Sequence, residues 1–140
     1  MLVPILFKEE MHMKIGKYFD DYEFACQCDR HGVDAEEHPI LDHIIDKRLV
    51  DVLDRIRERL GVPITVNSGY RCPEHNAEVV GVPDSQHVLG TAADITYDGV
   101  DVDYLAEIAE ECGADGIGKY YHQDFVHVDV RGYAARWDDL

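Results

Sequence analysis

The sequence predicts an α+β domain. Three observations lead there: two amphipathic segments with helical periodicity, several short strand-like runs set between turns, and two final runs close enough to form a hairpin, which makes the sheet antiparallel. At 140 residues, with 46% hydrophobic and 30% charged residues, the chain is one domain that can bury a core without staples. No repeat, linker or low-complexity tract interrupts it.

Residues 1–17 read as a poorly constrained leader and residues 18–140 as the domain. Tyr18–Phe24 resembles a short capped helix, with Asp20 or Asp21 available as N-cap. Cys26–Pro39 is a polar loop; His31, Asp34 and His38 have metal-ligand chemistry, but a solvated acidic loop is the simpler reading. Leu41, Ile45, Leu49, Val52, Leu53, Ile56 and Leu60 recur at three and four and predict a long scaffold helix, stopped by Gly61-Val-Pro63. Arg55, Arg57 and Arg59 on its exposed side are expected to pair with acids.

Ile64–Val66 predicts a short buried strand and Asn67–Tyr70 the turn that leaves it. Pro73–Val80 can start a helix with proline at its first position. Ala92–Tyr97 predicts a strand, and Asp101–Cys112 a second amphipathic helix with Leu105, Ile108 and Cys112 inward and Gly113 just past its end. Ala114–Tyr121 and Phe125–Val130 predict two final strands, paired as a hairpin around His122-Gln123.

Thirteen Lys and Arg against 29 Asp and Glu leave a net charge of −16. Counterion release on nucleic acid needs clustered cations, so nucleic acid and anionic lipid are excluded as partners. Met1–Phe7 is apolar but lacks a basic start and ends at Lys8-Glu-Glu10, so no signal peptide is expected. No stretch approaches the roughly 20 apolar residues of a membrane span. Cytoplasmic synthesis, no membrane insertion and a monomer are the expectations, with the final location open. Four cysteines permit three fully paired connectivities. Cys26-Gln-Cys28 could join His31 and Cys72 in a second metal site, Cys72 could pair with one of the two, or all could be free thiols; Cys112 reads as core.

The chemistry concentrates in two segments. Ser85-Gln-His87-Val-Leu-Gly90-Thr-Ala92-Ala-Asp94 sets an imidazole and a carboxylate seven positions apart, separated by a glycine turn and a small-residue run that enters a strand. Phe125-Val-His127-Val-Asp129 alternates, so Phe125, His127 and Asp129 share the strand face opposite Val126, Val128 and Val130. Two imidazoles and one carboxylate are a ligand set of catalytic zinc, which keeps one position open for water. His87, Asp94 and His127 are therefore the expected ligands of one zinc ion per chain. Asp129 could accept the other ring N–H of a ligand histidine. Asp124, three residues before His127, is the candidate general base that takes a proton from water and returns it to a leaving amine, or else it caps its own turn. Arg71, after a Gly-Tyr turn, could bind a substrate carboxylate or steady an oxyanion, and Ser85 could donate a hydrogen bond to substrate; a structural ion pair and a loop cap are their plain alternatives.

Ser68-Gly-Tyr-Arg71-Cys-Pro73, His75-Asn76, the Ser85-x-His87-x-x-Gly90-x-Ala92-x-Asp94 element and Phe125-Val-His127-Val-Asp129 together resemble the zinc D-alanyl-D-alanine carboxypeptidase family, peptidase family M15. The likeness runs from about Tyr18 to Trp137 and is greatest for the branch that carries this unit as a C-terminal peptidase domain. It implies a hedgehog/DD-peptidase-like α+β fold with a central antiparallel sheet flanked by helices. It also implies zinc on His87, Asp94 and His127, with Arg71 associated with substrate or transition-state binding. Members include D-alanyl-D-alanine carboxypeptidases, dipeptidases and phage endolysins that cut L-alanyl-D-glutamate bonds, most acting on peptidoglycan or its precursors.

One departure matters. Carboxypeptidase members carry His-x-His, and the first of these positions is Phe125 here. Endolysin and dipeptidase members place an acid three residues before the second ligand histidine, as Asp124 stands here, though dipeptidases have Glu. The resemblance thus predicts a zinc hydrolase of peptidoglycan stem peptides, either carboxypeptidase or endolysin-type endopeptidase, and phage-type release to the cell wall would fit. The alternative is a non-catalytic zinc-containing wall-binding or phage structural module of the same fold. A purely structural zinc is a third reading.

Overall fold

The computed structural model describes residues 14–24, 45–70, 86, 87 and 89–140. Within them, helix α1 (Lys47–Leu60) precedes strands β1 (Thr65–Ser68) and β2 (Ala92–Thr96). Helix α2 (Val102–Glu111) then leads to β3 (Gly116–Tyr120), β4 (Phe125–Asp129) and β5 (Ala135–Asp138). The fold is α+β. The five strands form one sheet in the order β1-β2-β4-β3-β5. The first four pair antiparallel, as expected, while β5 pairs parallel to β3 and makes the sheet mixed.

Side-chain alternation divides the sheet into two chemically distinct faces. Ala93 and Ile95 of β2, Ile117 of β3 and Val126 and Val128 of β4 join one apolar cluster with Leu49, Leu53 and Ile56 of α1 and Leu105 and Ile108 of α2. The next residues along the same strands, Asp94, His127 and Asp129, belong to the opposite face and are buried there as well. One face is therefore core, and the other is a buried polar surface.

Helix α1 starts later than its periodicity predicts. Ile45 is buried but not helical, and Asp46 is the N-cap, its carboxylate accepting from the Arg48 N–H at 2.8 Å. Gly61, at φ 72°, closes the other end by donating to the Arg57 carbonyl. Of the three arginines on its outer side, Arg59 pairs with Glu111 at 2.9 Å as expected. Arg55 instead donates to the Cys112 carbonyl, where α2 leaves backbone acceptors unfilled, and Arg57 lies over the Tyr18 ring at 4.8 Å. Helix α2 is capped by Asp101, whose carboxylate accepts from Tyr104 N–H. Cys112 is buried and free, and Gly113 takes the left-handed conformation at φ 96°.

Residues 14–24, ahead of α1, are tied to the rest of the domain. Lys14 and Asp20 form an antiparallel bridge, the Asp54 carboxylate accepts from the backbone of Lys17 and Tyr18, and Phe19 and Phe24 meet edge-on at 5.8 Å inside the core. In place of the short helix expected over Tyr18–Phe24 there is a 3₁₀ turn, Asp21–Phe24. The predicted helix at Pro73–Val80, the loop at Cys26–Pro39, Cys26, Cys28 and Cys72 lie outside the described residues. Among the described residues no helix is long and apolar enough to cross a membrane.

The final strand was not foreseen. After β4 the chain rounds the start of β3 and runs back beside it as β5, with Gly116 opposite Ala135 and Gly118 opposite Trp137. The corner is held by Asp115, whose carboxylate accepts from Gly132 N–H at 2.9 Å and whose carbonyl accepts from Ala135 N–H at 3.1 Å.

Candidate metal centre

Three separate pieces of chain deliver the site. His87 lies in a tight turn closed by Thr91, whose N–H and hydroxyl both donate to the Gln86 carbonyl, at 3.1 Å each. Gly90, at φ 76°, makes that turn sterically available. The Asp46 N–H at the head of α1 donates to the Gly90 carbonyl at 2.9 Å, so the scaffold helix holds the turn in place. Asp94 and His127 come from β2 and β4, where they are direct cross-strand partners.

These side chains converge. His87 Nε2 and His127 Nδ1 each lie 3.2 Å from one atom, Asp94 Oδ1, and the three ligand atoms all fall within 4.8 Å of one another. An ion bound tetrahedrally at about 2.0–2.1 Å sets neighbouring donors about 3.3–3.4 Å apart, close to what is found. His87, Asp94 and His127 are buried to nine-tenths or more.

The remaining ring nitrogens explain why a cation suits this arrangement. His87 Nδ1 lies 2.8 Å from the Gly69 carbonyl, which only accepts, so Nδ1 carries the hydrogen. The Nε2 lone pair of a neutral ring then faces a carboxylate oxygen. His127 Nε2 lies 2.8 Å from Asp129 Oδ2, so its Nδ1 also turns a lone pair on Asp94. Two lone pairs aimed at one anionic oxygen repel unless positive charge lies between them, whether protons or a metal. Burial alone would lower the His127 pKa, but hydrogen bonds to Asp129 and Asp94 outweigh it and raise it above the ordinary histidine value. Burial would likewise raise Asp94, yet the bonds to His127 and His87 hold its carboxyl well below the usual carboxylate range. The donor set of two imidazoles and a carboxylate fits zinc.

Asp129 is fully buried and saturated. Its carboxylate accepts from the Gly116 and Arg131 N–H groups at 3.0 and 3.1 Å and from a fork of Arg131 Nε and Nη2 at 2.7–3.0 Å. Burial would raise its pKa, but His127 and Arg131 hold it well below the usual range. An anion so fixed orients the His127 ring and makes it more basic. Gly116 leaves room for it, since a Cβ there would stand 2.2 Å from Asp129 Oδ2.

Asp124 sits in the four-residue turn between β3 and β4, exposed, three positions before His127. Its backbone is left-handed at φ 57°, and its carbonyl accepts from Thr96 Oγ1 at 2.7 Å. It does not belong to the three-residue group around Asp94 Oδ1. Phe125 stacks on Tyr120, with ring centres 4.4 Å apart. Arg71 and Ser85 lie outside the described residues.

Sequence reasoning passed over four contributors. The Gly69 carbonyl carries no side-chain signature, and Gly116 reads as an ordinary strand glycine. Arg131 stands two positions after Asp129 on the same alternating run, and that spacing could have revealed it. Trp137 comes from the unforeseen β5 and reaches His127 at 5.0 Å between ring centres.

The sequence pattern of peptidase M15 matches residues 17–129, a span that holds all three converging side chains and Asp129. The chain belongs to the peptidase M15 family. Among curated relatives, the peptidoglycan L,D-endopeptidase MepK of Escherichia coli (strain K12) is 33% identical over 100 residues, covering 66% of this chain and 54% of the relative. The protein of the same name from Shigella flexneri matches to the same extent. This member of the family thus spans about half the length of the curated relatives it matches.

Proposed function

We propose that the chain is a zinc-dependent peptidase that hydrolyses peptide bonds in bacterial peptidoglycan stem peptides, acting as an endopeptidase. The observation that carries this reading is the convergence of His87 Nε2 and His127 Nδ1 on Asp94 Oδ1 at 3.2 Å. Family membership supports peptidase chemistry, and the name of the MepK relatives supports a cell-wall peptide as substrate. Phe125, packed on Tyr120 where carboxypeptidase members of the resembling family carry a histidine, favours internal cleavage over removal of a terminal D-alanine.

In this reading His87, Asp94 and His127 hold one zinc ion. When bound, zinc supplies Lewis acidity toward a carbonyl oxygen and lowers the pKa of water. Asp129 and Arg131 keep the His127 ring in its ligating tautomer and direction. Asp124 accepts the proton of the attacking water and returns it to the amine that leaves. Arg71 binds a substrate carboxylate or the developing oxyanion, and Ser85 donates a hydrogen bond to the peptide.

The test is digestion of purified peptidoglycan sacculi and of synthetic stem peptides by zinc-loaded protein, with products identified by mass spectrometry. Internal cleavage abolished by chelation is the expected result. Release of terminal D-alanine alone would make the protein a carboxypeptidase. Peptidoglycan binding without any new amine would overturn the peptidase reading in favour of a wall-binding module.

A further inference from the structure

We propose that Trp137, carried by strand β5, is a positioning residue of the metal centre. The inference rests on the metal-binding reading above and concerns how His127 is held.

Trp137, Gly118 and His127 occupy one line across three adjacent strands: Trp137 is opposite Gly118 on β5 and β3, and Gly118 is opposite His127 on β3 and β4. The strand between them is bridged because it carries no side chain at that point. A Cβ on Gly118 would meet the indole at 2.4 Å, so the ring lies across the glycine and reaches the imidazole at 5.0 Å with an interplanar angle of 51°. The indole is itself fixed. Its Nε1–H donates to the Tyr120 hydroxyl at 2.9 Å, and Tyr120 in turn stacks on Phe125.

A second path closes on the same histidine. The Arg131 guanidinium lies 5.2 Å from the Trp137 ring and forks onto Asp129, which takes His127 Nε2. His127 is therefore held at one nitrogen by Asp129 and against its ring by Trp137, with Arg131 joining the two restraints. Turning the imidazole so that Nδ1 leaves Asp94 would drive it into the indole or break its bond to Asp129. Among the described residues Trp137 is not part of the apolar core cluster, and its ring contacts are with His127 and Arg131. The span matched by the M15 pattern ends at residue 129, and β5 follows it at Ala135–Asp138.

The experiment compares wild type, Trp137→Leu and Trp137→Phe, each shown to fold by its metal-free melting curve. Zinc affinity is read by competition with a chelating dye, and site geometry by the visible spectrum of the cobalt(II)-loaded protein. Leu is chosen over Ala because it retains apolar bulk without a ring. Loss of a group that orients a ligand typically weakens metal binding 10–100-fold, and we expect about 10-fold for Trp137→Leu with an altered cobalt spectrum. Trp137→Phe, which keeps a ring beside the imidazole, should stay within about threefold of wild type on the same scale. Affinity and spectrum unchanged in Trp137→Leu would overturn the proposal and leave the zinc peptidase reading standing. Weakened binding in Trp137→Leu, beside a wild type that binds zinc but cleaves no wall peptide, would support the positioning role and sink the peptidase reading instead. A wild type that binds neither zinc nor cobalt would overturn both.

Discussion

His127 and Asp94 face each other directly across β2 and β4, and His127 Nδ1 stands 3.2 Å from Asp94 Oδ1. Paired strands fix this separation, so the site needs little rearrangement to accept an ion; only His87 arrives on a turn. Zinc binding should therefore be tight and close to one per chain, as expected of a three-ligand site. Trp137 is the chain's one tryptophan, and its ring lies 5.0 Å from His127. Copper(II) or cobalt(II) should quench its fluorescence with a titration that ends near one equivalent. In His87→Ala the quench should need far higher metal concentrations. A quench in that variant with wild-type midpoint would place the metal elsewhere.

Asp129 is fully buried, and among the described residues the Arg131 side chain is its one cationic partner that stays charged at every pH. Removing one partner of a buried ion pair leaves the other uncompensated, at about 3–5 kcal/mol. The two backbone N–H groups that also bind Asp129 offset part of this. Arg131→Met should thus destabilise the metal-free protein by about 2–3 kcal/mol in urea unfolding, somewhat below that range. A change under about 0.5 kcal/mol, the usual size for a surface substitution, would show that the pair is not buried in solution.

The parts that sequence revealed and the parts it hid differ physically. Alternation in Phe125–Asp129 separated the ligand face from the valine face because side chains on a strand must alternate. Periodicity in α1 identified the buried residues but misplaced the start: Ile45 satisfies the apolar pattern by facing the core, while the Asp46 carboxylate, one residue later, caps the N-terminus of the helix. Strand β5 was invisible because Ala135-Arg-Trp-Asp138 is only four residues long, so its single alternation of Ala135 and Trp137 against Arg136 and Asp138 is too short to read as a strand, and at the sheet edge it needs only one neighbour. Its parallel pairing with β3 is a long-range fact with no local mark. The His87 turn shows the same limit, since its anchors are the backbone carbonyls of Gly69 and Gly90.

The N-cap of α1 gives a pH-dependent prediction away from the ligands. The Asp46 pKa is lowered, first by the Arg48 side-chain hydrogen bond and further by the Arg48 N–H, with burial opposing. A carboxyl with a depressed folded pKa contributes stability above its unfolded value, near 3.9, and loses it as pH falls through the folded value. Arg48 is largely exposed, so the cap rather than the ion pair should dominate. Asp46→Ala should cost about 1 kcal/mol at pH 7. The gap between mutant and wild type should shrink below about pH 4 as the wild-type carboxyl protonates. Zinc affinity should not change, because the contact with the His87 turn uses the Asp46 backbone N–H. A gap that widens in acid would refute this account of the cap.

Asp124 allows its catalytic and structural roles to be separated by one substitution. Its φ of 57° makes it the one non-glycine residue with left-handed backbone among the described residues. The turn is held without its carboxylate: Thr96 Oγ1 donates to its carbonyl, and Asp139 accepts from the Tyr121 and His122 N–H groups. Asparagine tolerates the left-handed region as readily as aspartate. If Asp124 only shaped the turn, Asp124→Asn would be silent in every assay. If it moves the proton, the same variant should keep its melting temperature and zinc affinity while kcat falls by about 10²–10⁴, the usual contribution of a general acid–base group. Stopped-time digestion of a defined stem peptide, with stability and metal content measured on the same preparation, decides between them. Wild-type turnover in Asp124→Asn would remove Asp124 from the mechanism and send the search for the base to another residue.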